Sequence, residues 1–76
     1  MIGKEIKFLI EGIEYSGIIC GFKNDCDIET YVVGGTFDDY RTCSKNDLKS
    51  FYDVTLDEKI ANKFYEFIII DEFTIK

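Results

Sequence analysis

The sequence predicts a mainly β chain with a C-terminal helix. The expected form is a small β-barrel of about five strands, then an amphipathic helix and a short extended C-terminal segment. Three observations carry this. All six glycines (3, 12, 17, 21, 34 and 35) lie in the first half, between short apolar runs, where a small sheet must turn or curl. Those runs alternate apolar and polar residues or are rich in β-branched and aromatic side chains. After Val54 the spacing becomes helical. The whole is one domain, with residues 1–54 as barrel and 55–76 as helix and extended segment.

Ile6, Phe8 and Ile10 alternate with Lys7, Leu9 and Glu11, the period of a strand. Glu11-Gly12 supplies a tight hairpin turn, because glycine takes positive φ without strain. A second strand runs from Glu14 to Lys23. Its Gly17 and Gly21 share a face and permit a sharp bend. Ser16, Ile18, Cys20 and Phe22 form the other face, with Ile18 and Phe22 expected to be buried. Lys23–Asp27 is a polar loop of turn-forming residues. A third strand is expected over Ile28–Val33, broken by Gly34-Gly35, and a fourth over Phe37–Cys43. Ser44 caps a single helical turn through Leu48. Lys49–Val54 reads as the fifth strand.

Thr55-Leu56-Asp57-Glu58 fits a capping box, in which Thr55 accepts from the amide of Glu58 and Glu58 reaches back. Leu56, Ile60, Phe64, Phe67 and Ile68 then fall on one stripe, with Lys59, Asn62, Lys63 and Glu66 opposite. The spacing predicts a helix over 56–66 and an extended segment through Ile75.

The chain has 76 residues, a net charge of −6 and twelve aromatic residues, seven Phe and five Tyr. So short a chain buries only about 60% of its unfolded surface, and large rings help fill a small core. Residues 24–54 carry seven acids against three bases. Arg41 is the one arginine. Phosphate binding wants clustered Lys and Arg, so neither nucleic acid nor an anionic membrane is an expected partner. With no secretory leader pattern and no apolar run of membrane length, a cytoplasmic protein is expected.

Histidine is absent, which excludes Ser-His, Cys-His and His-metal arrangements. Cys20, Cys26 and Cys43 are an odd set, too few for a four-thiolate zinc site. They read as reduced, partly buried side chains, with a Cys20–Cys26 link only under oxidising conditions. Asp25, Asp27 and Glu29 alternate, but the positions where a calcium loop needs Gly and Glu are Thr30 and Thr36. Asp38 and Asp39 are neighbours and point to opposite sides of a strand. Gly34-Gly35 lacks the lysine of a phosphate loop. No catalytic residues, cofactor or metal are expected, and the chain is not expected to be an enzyme.

Gly3-Lys4-Glu5-Ile6-Lys7-Phe8, Tyr15-Ser16-Gly17-Ile18-Ile19, Tyr31-Val32-Val33 and the closing turn Lys45-Asn46-Asp47-Leu48 occur in that order. In this, residues 3–51 resemble the Src-homology-3-like small barrels of the Tudor and KOW kind. The resemblance implies a binding module for peptides, modified side chains, RNA or proteins. A methyl-lysine reader would use converging rings, for which Tyr15, Tyr31, Phe37 and Tyr40 are the candidates. Ordinary barrel packing is the competing use of those rings.

The expected function is therefore a small protein-interaction module. Its acidic face, Asp25, Asp27, Glu29, Asp38 and Asp39, would meet a basic partner protein, with Tyr31 and Tyr40 as anchors. One alternative is a phage or mobile-element inhibitor that blocks the nucleic-acid groove of a host defence enzyme as an acidic mimic, in the manner of anti-CRISPR proteins. Another is a structural subunit that self-associates through Phe67–Ile75, with a homodimer as the simplest form.

Overall fold

A computed structural model describes residues 1–24, 27–37 and 42–75. Mainly β, it holds a five-stranded antiparallel sheet and two short helices. The strands are β1 (Glu5–Ile10), β2 (Ile13–Lys23), β3 (Thr30–Gly35), β4 (Val54–Leu56) and β5 (Glu66–Asp71). The helices are α1 (Lys45–Phe51) and α2 (Glu58–Ala61). The sheet order is β1-β2-β3-β5, and β4 pairs with β2.

The Glu11-Gly12 turn forms as the sequence predicts. Ile10 pairs with Ile13 across it, and both turn residues take positive φ, 52° and 80°. A two-residue loop of that kind matches the twist of the strands it joins. Strand β2 is the hub. Its first half pairs with β1, while its second half pairs with β3 and with β4. A register shift between Ile19 and Gly21 marks a bulge in the middle.

That bulge corrects the expected facing of β2. Phe22 is exposed and Ile18 half-buried, whereas Ile19 and Cys20 are fully buried. Ile19 and Cys20, as strand neighbours, face opposite sides and join different cores; the extra residue breaks the alternation beyond them and changes the facing of Phe22. The inner core gathers Ile6, Phe8, Ile19, Tyr31, Val33, Phe37, Ile68 and Ile70. The outer core gathers Cys20, Val32, Leu48, Ala61 and Phe67, with Leu56, Ile60 and Phe64 packed against it. Strands β3 and β5 are thus buried on both faces, which is why their apolar runs do not alternate.

Other boundaries move for identifiable reasons. Gly34 and Gly35 do not break the third strand; they close it, paired with Phe67 and Glu66 of β5. A Cβ on Gly34 would come within 2.6 Å of the Phe64 ring and 2.9 Å of the Cys20 sulfur. Glycine there lets a ring pack on the strand. The first half of the expected fifth strand over Lys49–Val54 is helix, and only Val54 is strand. Ser44 Oγ accepts from Asp47 N–H and the Asp47 carboxylate accepts from Ser44 N–H, both at 3.1 Å. This capping box, with buried Leu48 as anchor, carries α1 through Phe51. The fourth strand expected over Phe37–Cys43 falls largely on residues 38–41, outside the described residues. Cys43 bridges Phe67.

The predicted helix over 56–66 is the largest correction. Thr55 is not its cap, because Thr55 pairs with Phe22 inside β4. The cap is Asp57, whose Oδ1 accepts from Lys59 N–H at 3.1 Å and Ile60 N–H at 3.3 Å. Helix α2 ends at Ala61, and residues from Glu66 pair with β3 instead. Of the expected stripe, Leu56, Ile60, Phe64 and Phe67 pack as one cluster, but from β4, α2, the following turn and β5, while Ile68 faces the inner core. Lys45 and Lys49 both pair with Glu58, tying the start of α2 to α1. Beyond β5, Ile75 forms a bridge with Phe8.

Candidate functional site

Of the residues expected to meet a partner, Asp25, Asp38, Asp39 and Tyr40 lie outside the described residues. Asp27, Glu29 and Tyr31 lie together where the chain enters β3. Asp27 and Glu29 are exposed. Tyr31 is only 9% exposed, and its ring belongs to the inner core. In extended chain, residues two apart share a side, and the Tyr31 hydroxyl donates a hydrogen bond to Glu29 Oε2.

The sheet brings in one acid that sequence reading missed. Thr30 pairs with Asp71, and Glu72 N–H donates to the Glu29 carbonyl oxygen at 2.9 Å. Exposed Glu72 is therefore set beside exposed Glu29, although 43 positions separate them. No local pattern could have signalled this; it follows from β3–β5 register. The Tyr31 hydroxyl is held above its ordinary pKa, first by donating to Glu29, then by burial, with the charges of Glu29 and Glu72 adding. Asp71 is spent differently. Its carboxylate accepts from Phe73 N–H, Thr74 N–H and the Thr74 hydroxyl at 2.9–3.1 Å, which builds the turn after β5.

Next to Glu29 opens a groove of about 560 Å³. Buried Ile19 and Tyr31, both of the inner core, line it. Met1, Ile2 and Phe22 also line it and are 61%, 39% and 42% exposed. Lys23, which lines it too, places its ammonium 5.6 Å from the centroid of the Tyr52 ring, a favourable cation–ring placement.

The other candidate rings do not frame an open cage. Tyr15 stacks on Phe8 at 5.9 Å, and Phe37 meets both edge-on at 6.0 Å. All three pack in or against the inner core. The Phe67–Asp71 part of the proposed self-association segment is occupied by β3 along one edge.

Cys20 is a free thiol, and Cys26 lies outside the described residues. Cys20 is fully buried, and burial, opposed by a backbone hydrogen bond from Gly34 and reinforced by the Asp57 charge, pushes its thiol from 9.0 to about 11. The Cys43 thiol is also raised, by burial and then by Asp47. A nucleophilic thiol needs the opposite shift. Cys20 is thus expected to resist iodoacetamide in native buffer and to react on unfolding, as read by peptide mass mapping. Because the unfolded thiol ionises first, its contribution to stability is complete below pH 9 and fades as pH rises through about 11. Urea midpoints should fall over that window. Native alkylation at the rate of a free peptide thiol would refute the buried placement.

Among the described residues, no group of three or more His, Cys, Asp or Glu is placed to hold a metal ion. No helix among them is long and apolar enough to cross a membrane. Comparison with known proteins gives no significant match to a family model, a curated protein or a solved structure.

Proposed function

We propose that the protein is a small non-enzymatic interaction module whose acidic end binds a basic surface of a partner protein. The observation that carries this is the pairing of Glu29 and Glu72 beside an apolar groove, with Asp27 two residues away. Like charges brought together repel, so such a cluster favours a cationic partner that neutralises it. The net charge of −6 acts in the same sense at long range, speeding encounter at low salt. Apolar contact in the groove would then slow dissociation.

The scaffold proposed for this is a small barrel of the Src-homology-3-like kind. It is supported by the bulged β2 shared among three strands and by the Ile75–Phe8 bridge, which draws the last segment toward β1. A cytoplasmic setting is part of the proposal, favoured by the free, buried thiol of Cys20.

The test is affinity capture with purified protein, using Glu29→Lys with Glu72→Lys as the charge-reversed control. Both residues are exposed, and circular dichroism checks that the double variant folds. A genuine partner presents a basic surface, and its association rate drops about tenfold or more with the variant. Binding should also weaken as salt rises from about 50 to 500 mM, because screening shortens the reach of the charges. A partner held equally by both proteins, or indifferent to salt, would sink the reading.

A further inference from the structure

Resting on that reading, we infer that the groove is a subsite for a large apolar side chain of the partner, and that a Lys or Arg beside it in the same segment meets Glu29 and Glu72. The ligand class is an extended peptide in which basic and large apolar residues adjoin.

The apolar half follows from exposure. Met1, Ile2 and Phe22 stay substantially in water while lining a groove whose other apolar walls are the buried Ile19 and Tyr31. Filling it would remove apolar surface from water without unfolding anything. Its 560 Å³ lies within the roughly 300–1,000 Å³ of ordinary ligand sites. A small polar ligand would need several convergent polar groups to orient it. The lining's hydroxyl donors are already used, Thr30 on the Ile28 carbonyl and Tyr31 on Glu29, which leaves among its side chains the Glu29 carboxylate and the Lys23 ammonium placed by the Tyr52 ring.

The basic half follows from charge. Glu29 lines the groove, its carboxylate is bonded to the Tyr31 hydroxyl, and Glu72 is tied to its backbone. A cation entering on the Glu29 side gains from both acids, opposed by the Lys23 ammonium, which sits over the Tyr52 ring. Nucleic acid, an anionic lipid surface or a second copy of this acidic chain would be repelled at the same place.

Two synthetic peptides of equal length and charge serve as probes, one alternating Arg with Leu and one alternating Arg with Gly. Binding is read by amide chemical shifts of isotopically labelled protein. Burying a leucine side chain should make the Arg-Leu peptide bind about tenfold more tightly or better, with shifts concentrated at Gly21, Phe22 and Tyr31. Phe22→Thr should narrow the gap to within about twofold. Phe22 is already 42% exposed, so the fold should tolerate the change. Phe51→Gln, which alters an exposed ring outside the groove lining, should leave the gap intact.

Equal affinity for the two peptides, or a gap that survives Phe22→Thr, overturns the groove assignment while leaving the acidic reading standing. Failure of both peptides to bind overturns both. A dimer that light scattering detects and Phe22→Thr dissolves would give the groove to a second copy, and would also refute the assignment.

Discussion

Phe67→Ala is expected to remove about 3–5 kcal/mol of stability, the usual cost of deleting a buried phenylalanine side chain. Phe67 is wholly buried in the outer core with Cys20, Val32, Leu48 and Ala61. Its backbone also exchanges two hydrogen bonds with Cys43, at 2.8 and 2.9 Å, which hold the segment leading into α1 against β5. A cavity here would loosen the helical layer and the sheet together. Natural domains hold about 0.05–0.15 kcal/mol per residue. For 76 residues that is roughly 4–11 kcal/mol, so this one change removes from about a quarter to all of it. Urea unfolding followed by circular dichroism should show the loss. Phe73→Ala, at a residue 75% exposed, should shift stability by less than about 0.5 kcal/mol. A Phe67→Ala protein within about 1 kcal/mol of the parent would mean that the outer layer is not a packed core.

Gly21→Ala is the second large effect, for a different reason. A Cβ at position 21 would run into the carbonyl oxygen of Thr55 and lie 3.0 Å from Leu56 Cα. Both obstacles are backbone, so no rotamer change relieves them. Either β4 moves off β2 or the bulge at Ile19/Gly21 is rebuilt. Overpacking of this kind costs about 1–3 kcal/mol, and a backbone clash belongs at the upper end. The damage should be local first. Asp57 N–H donates to the Cys20 carbonyl and Asn24 N–H to the Asp53 carbonyl, each at 2.8 Å. Hydrogen exchange at those two amides should accelerate more than within the β1–β2 hairpin. At Gly12 a Cβ meets nothing within 4 Å, so Gly12→Ala should cost only the strain of its positive φ, about 1–2 kcal/mol. Unchanged exchange at Asp57 and Asn24 in Gly21→Ala would contradict the close β2–β4 approach.

The candidate site was half legible. Asp27, Glu29 and Tyr31 adjoin in sequence, and their alternation already places Glu29 and Tyr31 on one side of extended chain. Glu72 was invisible, because only β3–β5 pairing sets it beside Glu29. The groove was hidden by the bulge. Strict alternation assigns Phe22 to the interior, whereas the extra residue turns it out beside Met1 and Ile2. Tyr31 was expected to anchor a partner, and its ring instead packs in the protein's own inner core.

The chain's own order of residues determined what short-range chemistry controls. The Glu11-Gly12 hairpin, the Ser44 cap and the predominance of strands each depend on turn geometry, a side chain reaching its own backbone, or β-branched composition. Tertiary structure decided what depends on partners far along the chain. Leu56, Ile60, Phe64 and Phe67 are spaced for a helix, yet four different stretches deliver them to one cluster. An apolar period records only that side chains share a buried surface. With both faces of β3 and β5 covered, Phe67–Ile70 gained more by pairing with Gly34, Val33, Val32 and Tyr31 than by extending α2, and that choice also created the acidic end.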